Sequence, residues 1–166
     1  MSDDTTPETA AGTEEIKPGD QVPLMIHGQY IKDFSFEVPG APQIFLDSPK
    51  GQPDINLNLD VQVEGLAEDV FETVLDLRAE SRIAGQVTYI VELKYAGLFT
   101  LRVPEQHRAS LLFVECPRLM FPFARAILAD VTRDGGFQPL VLNPIDFAAL
   151  YNQNIDKLRS QVTPTN

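Results

Sequence analysis

The chain has 166 residues, 43% of them hydrophobic, with 13 basic against 24 acidic side chains and a formal net charge of −11. That length fits one domain with a sizeable core, and the charge denies the protein the basic face that nucleic-acid binding requires while favouring solubility and basic partners. The single cysteine, Cys116, excludes an intrachain disulfide and a thiolate metal cluster.

Residues 1–24 carry six acids (Asp3, Asp4, Glu8, Glu14, Glu15, Asp20) and one base, Lys17. Such a segment cannot bury enough surface to offset its ordering entropy, so it is expected to be a disordered tail ahead of a domain at 25–158. It has neither the basic nor the apolar region of a signal peptide. The longest apolar runs, as at 119–124, are about six residues, far short of the roughly 20 that span a bilayer. A soluble, cytoplasmic protein without direct membrane insertion is expected.

From 25 to 38 the pattern is that of a strand, with Lys32, Phe34, Phe36 and Val38 on one face and Ile31, Asp33, Ser35 and Glu37 on the other. A long loop follows, punctuated by Pro39, Pro42, Pro49 and Pro53 yet still holding Ile44, Phe45 and Leu46. A crossover between non-neighbouring strands has this form. Residues 55–63 alternate cleanly, Ile55, Leu57, Leu59, Val61 and Val63 against Asn56, Asn58, Asp60 and Gln62. Residues 66–80 fit a helix through Leu66, Val70, Val74 and Leu77, or a strand through Phe71, Thr73, Leu75 and Leu77.

Residues 86–94 form another strand, Val87, Tyr89, Val91 and Leu93 opposing Thr88, Ile90, Glu92 and Lys94. Ala96-Gly97 is expected to make a turn or bulge before 98–103 continues the sheet. A short helix is expected at 105–115, then a second from Pro122 to about Arg133 with Phe123, Ile127 and Val131 as its apolar stripe and Ala124 and Leu128 beside it. Asp134-Gly135-Gly136 would stop it through a left-handed cap. Residues 137–142 are an apolar linker. Asn143 would cap a last helix beginning at Pro144 and carrying Phe147, Leu150, Tyr151 and Ile155 on one side. Residues 159–166 are a frayed tail.

Chemistry has few candidates. Cys116 sits among apolar residues, with no positioned histidine, as a buried structural thiol does. His27 and His107 are the only histidines and lack partners at metal-ligand spacing, so neither a metal nor a catalytic role is assigned. Asp33 and Glu37 lie four apart on one strand face. They fit a solvated face or an acidic docking surface better than a glycosidase pair, which needs a cleft and aromatic platforms in a chain that has no Trp. Gly135-Gly136 belongs to no phosphate-binding pattern. Ten Phe and four Tyr spread over loops and strands, as expected for a filled core or for an oligomer interface and exposed apolar groove.

Several stretches together resemble the SecB family of bacterial protein-export chaperones: YIKDFSFEVPGAP (30–42), PDINLNLDV (53–61), DVFETVL (69–75), GLF (97–99), CPRLMFPFAR (116–125) and GGFQPLVLNPIDFAALY (135–151). The resemblance implies an α+β protomer, with a four-stranded antiparallel sheet, a crossover loop and helices packed on one face, assembling as a dimer of dimers. It favours the strand over the helix at 66–80. It implies a homotetramer that holds unfolded precursor polypeptides and delivers them to the translocase ATPase SecA, with no nucleotide, metal or other cofactor of its own. By position, Asp33, Glu37, Ile90 and Glu92 would meet the basic zinc-binding C-terminal tail of SecA. Phe45, Ile55, Leu57, Leu59, Leu142, Leu150 and Tyr151 would line the client groove. Val91, Leu93 and Tyr95 would belong to the tetramer interface. Two rivals stand beside this: a SecB-like chaperone dedicated to one client such as an antitoxin, and a small acid–base enzyme using Asp33 and Glu37.

Overall fold

A computed structural model describes residues 23–47 and 49–155. The expected tails, apart from Pro23 and Leu24, and the last three residues of the expected domain lie outside the described residues. Leu24 already belongs to the first strand.

The chain runs through β1 (Leu24–Glu37), α1 (Gln43–Leu46), β2 (Asp54–Ala67), β3 (Val70–Ile83) and β4 (Gln86–Leu101). The four strands make one antiparallel sheet in the order β1-β4-β3-β2. The Pro-rich loop with α1 therefore does carry the chain from one sheet edge to the other. Residues 66–80 are strand apart from a turn at Glu68-Asp69, with the helical spacing overridden by pairing. Ala67 ends β2, and β3 returns from Val70 with Leu75 opposite Val61 and Leu77 opposite Leu59. Ala84 and Gly85, both at positive φ, close the two-residue β3–β4 hairpin.

Residues directly opposite across an antiparallel pair share a face. The inner face gathers Val61, Leu75 and Tyr95 in one row and Leu59, Leu77 and Leu93 in the next. Lys32 is skipped in the β1–β4 register, so Ile31 pairs with Tyr95 and Phe34 with Leu93. This bulge puts Ile31 on the inner face with Phe34 rather than opposite it, as strict alternation would have it. Likewise Thr88 is skipped, so Val87 faces Arg82. Ala96-Gly97 is not a turn but lies in register mid-strand. A Cβ on Gly97 would come within 2.6 Å of the Phe99 ring and 3.0 Å of Met120 Sδ, so glycine is what lets the helix layer approach there.

From Glu105 to Asp134 the backbone stays helical: α2 (Glu105–Ser110), a wide π-helical turn at Leu111–Glu115, then α3 (Cys116–Asp134). The expected break before Pro122 does not occur. An interior proline costs roughly 3 kcal/mol, but burying large apolar side chains on either side returns roughly 1.5–3 kcal/mol each. The row at four-residue spacing, Cys116, Met120, Ala124, Leu128 and Thr132, has no exposed surface, with Met120 and Leu128 the large apolar members on either side of Pro122. The expected stripe of Phe123, Ile127 and Val131 is the neighbouring row. Phe123 is 54% exposed and Leu119 44%. Both rows are apolar, and the sheet takes the one with the slimmer side chains.

Gly136, at φ +92°, ends α3, with the N–H of Phe137 donating to the Thr132 carbonyl. An extended segment leads to α4 (Phe147–Gln153). Its cap is Asp146, whose side chain accepts from the Ala149 N–H at 2.9 Å, and not Asn143 three residues earlier. Phe147 and Tyr151 are buried and Leu150 half-buried on one side of α4 as expected, and Ile155, just past its end, is half-buried against the core too.

Candidate functional site

The inner face is not fully covered along β2. Ile55, Leu57 and Leu59 are half-buried on the outermost strand, while Val61 and Val63 are buried. The segment 137–142 and α4 form the facing wall. Between them lies an open cavity of about 670 Å³ lined by Pro53, Ile55, Ile83, Tyr89, Phe137, Pro139, Leu140 and Val141. Further along, a smaller cavity of about 80 Å³ brings Leu59 together with Phe113, Leu150 and Tyr151.

One end of the groove is aromatic. The Phe137 ring lies 5.1 Å from Tyr89, 5.4 Å from Phe45 and 6.4 Å from Phe36, centroid to centroid, and Phe36 stacks on Tyr89 at 5.8 Å. The cluster joins β1, α1, β4 and the end of α3. Gly135 makes room for it, since a Cβ there would sit 2.4 Å from Phe36. Phe45 keeps 48% of its surface exposed and Val141 76%.

Of the residues assigned to the groove, Phe45 stands at its aromatic end, Ile55 in the large cavity, and Leu59, Leu150 and Tyr151 in the small one, with Leu57 between on β2. Leu142 is different. It is buried in the core, and its carbonyl accepts from Arg125. Phe137, Pro139, Val141 and Tyr89 complete the lining and were not singled out from sequence. The apolar run at 137–142 was the signal for Phe137, Pro139 and Val141, because an extended linker with so many apolar residues has to lie against something.

The outer face is charged. Glu37 pairs with Ile90, Ser35 with Glu92 and Asp33 with Lys94, so Asp33, Glu37, Ile90 and Glu92 do share one face. Glu92 accepts from Arg78 Nε at 3.0 Å, Glu80 accepts from Arg78 and Arg82, and Lys94 reaches Asp76 at 3.4 Å. Farther along the same face Glu72, itself buried, accepts from Tyr30 and Lys32, both at 2.5 Å. Burial opposes the Glu72 charge, but these two hydrogen bonds outweigh it and leave its pKa below the usual carboxylate value.

Val91, Leu93 and Tyr95 alternate with that face and point into the core. Val91 and Leu93 have no exposed surface and Tyr95 has 7%. Direct contact with another protomer is therefore closed to the first two.

Cys116 is buried, and burial, reinforced by the Glu115 charge, pushes its thiol up to about 12. It is no nucleophile at neutral pH. Among the described residues no helix is long and apolar enough to cross a membrane.

Residues 17–158 match the SecB family, described as preprotein translocase subunit SecB. The protein-export protein SecB of Rhodospirillum rubrum is 51% identical over 154 residues, covering 92% of this chain and 96% of its own. That of Granulibacter bethesdensis is 50% identical over 160 residues, covering 91% of each. Among solved structures, a Mycobacterium tuberculosis SecB-like chaperone in complex with an antitoxin peptide superposes with a TM-score of 0.61 at 16% identity, over 74% of this chain and 90% of that one. At that identity the likeness is one of fold.

Proposed function

We propose the following role for this chain, which belongs to the SecB family of protein-export chaperones: it holds unfolded precursor polypeptides in its apolar groove in the cytoplasm and delivers them to the translocase ATPase SecA. The observation that carries this reading is the groove itself, in which an outermost strand with half-buried Ile55, Leu57 and Leu59 faces a wall that leaves Val141 exposed. A chain with exposed apolar segments gains by covering both sides.

Holding works by mass action. At a free groove concentration of about 100 Kd, an unfolded client is favoured by roughly 2.7 kcal/mol. Several shallow contacts along one groove, repeated on neighbouring protomers, raise the avidity without any tight single pocket. Unpaired backbone on the outer edge of β2 adds strand pairing to an extended client. Fast-folding proteins bury their apolar segments before capture and escape.

The assembly is a dimer of dimers. The outward row of α3, Leu119 and Phe123, and the inner-face residues Ile31 and Phe34 of β1 are all exposed in the single chain, and they are the surfaces suited to join protomers. Docking on SecA uses Asp33, Glu37, Ile90 and Glu92 against its basic zinc-binding tail, with attraction that weakens as salt screens it.

Calorimetric titration of a permanently unfolded precursor and its folded counterpart, with complex mass from light scattering, tests the holding role. Binding of the unfolded chain alone, to a species of four protomers, is expected. Binding of neither form would overturn the general role and leave a chaperone dedicated to one client.

A further inference from the structure

Arg78 stands where an incoming cation would have to bind Glu92. Its Nε donates to Glu92 Oε1 at 3.0 Å, and its Nη2 donates to Glu80 Oε2 at 3.2 Å. Asp33 and Glu37 have no ion pair among the described residues. Lys94, opposite Asp33 in register, turns instead to Asp76. The three acids given to SecA docking are therefore unequal, two open and one already holding a cation.

We propose that Arg78 is an intramolecular competitor for Glu92, setting how tightly the docking face takes a basic partner and how many cations that partner must carry. The inference rests on the docking role proposed above. Two features make the contact exchangeable. Both side chains are substantially exposed, 38% for Arg78 and 53% for Glu92, and an exposed pair is held only weakly. Arg78 also has somewhere to go, because its other contact, to Glu80, persists when Glu92 is released. Arg82 holds Glu80 from the other side and keeps that carboxylate in place. A partner with a single cation meets only Asp33 and Glu37, while a partner with several also displaces Arg78 and gains the third acid. The sheet face thus discriminates a polybasic segment from an isolated lysine or arginine.

The test uses the full-length protein and the zinc-loaded C-terminal peptide of SecA, titrated by calorimetry at several salt concentrations. Arg78→Gln is expected to tighten docking roughly two- to five-fold at low salt, the scale of one exposed ion pair. Arg78→Lys keeps the charge, loses the fork and is expected to fall between. The charge-matched control is Arg102→Gln. Arg102 is exposed and lies ten residues beyond Glu92 in the chain, roughly 33 Å along an extended strand. Unchanged or weaker docking by Arg78→Gln, or equal tightening by Arg102→Gln, would overturn competition at Glu92. Unchanged docking by Asp33→Asn with Glu37→Gln would instead overturn the docking role itself. Unaltered capture of an unfolded polypeptide reports that each variant is folded.

Discussion

The Leu140 N–H donates to the Thr132 hydroxyl at 2.8 Å, and that hydroxyl donates in turn to the Leu128 carbonyl, also at 2.8 Å. All of it is buried. One side chain on α3 thus ties down the wall of the groove, converting a ten-residue extended segment into a fixed surface.

Thr132→Val keeps the shape and removes the acceptor, stranding a buried N–H. A loss of about 1–3 kcal/mol is expected in urea denaturation, with a matching loss of client affinity as the wall loosens. Thr132→Ser should retain most of both.

Val141 is so exposed that replacing it should cost the fold little. Val141→Asp puts a charge on the apolar wall, and weakening of unfolded-polypeptide binding by roughly ten-fold, about 1.4 kcal/mol, is expected with an unchanged melting temperature. Equal affinity would mean that the client does not run along this wall.

Much of this groove was readable from sequence. The alternation at 55–63 gave the half-buried row of β2, and the Pro-rich apolar loop gave the crossover and Phe45. What failed were several choices that the local pattern leaves nearly balanced. Ala124 and Leu128, expected beside the stripe of Phe123, Ile127 and Val131, are buried with Cys116, Met120 and Thr132 in the row that meets the sheet, because which row fits is decided by depth and not by hydropathy. The bulge at Lys32 moved Ile31 to the inner face, and no local residue pattern announces a skipped residue. Pro122 reads as a helix start, but continuous burial on either side carries the helix through it. Asn143-Pro144 and Asp146 are both good starts, and only packing of Phe147 selects the later one.

Phe123 and Leu119 carry the largest exposed apolar surface on α3. Phe123→Asp is expected to reduce the mass seen by light scattering from four protomers to two, with the circular dichroism of the sheet and helices retained. A mass of four for Phe123→Asp would move the interface elsewhere.

Stability should fall in alkali. Burial raises the Cys116 pKa from 9.0 to about 12, and the hydrogen bond to Glu72, followed by burial, raises Tyr30 from 10.0 to about 12. Each folded-state value is raised, so the folded chain keeps protons that the unfolded chain sheds. Their contribution is full below 9.0 and fades between there and about 12. Urea midpoints measured across this range should decline, and Cys116→Ala should delay the onset of the decline towards pH 10.

β4 is one residue thick, and its neighbours look opposite ways: Ile90 and Glu92 to the charged side, Val91 and Leu93 to the covered side. The strand is a partition. Whatever lies in the groove and whatever sits on the charged face are kept apart by the backbone, so neither blocks the other's approach. On the roles proposed for these two faces, loading and docking are expected in either order, with a three-way assembly forming before release.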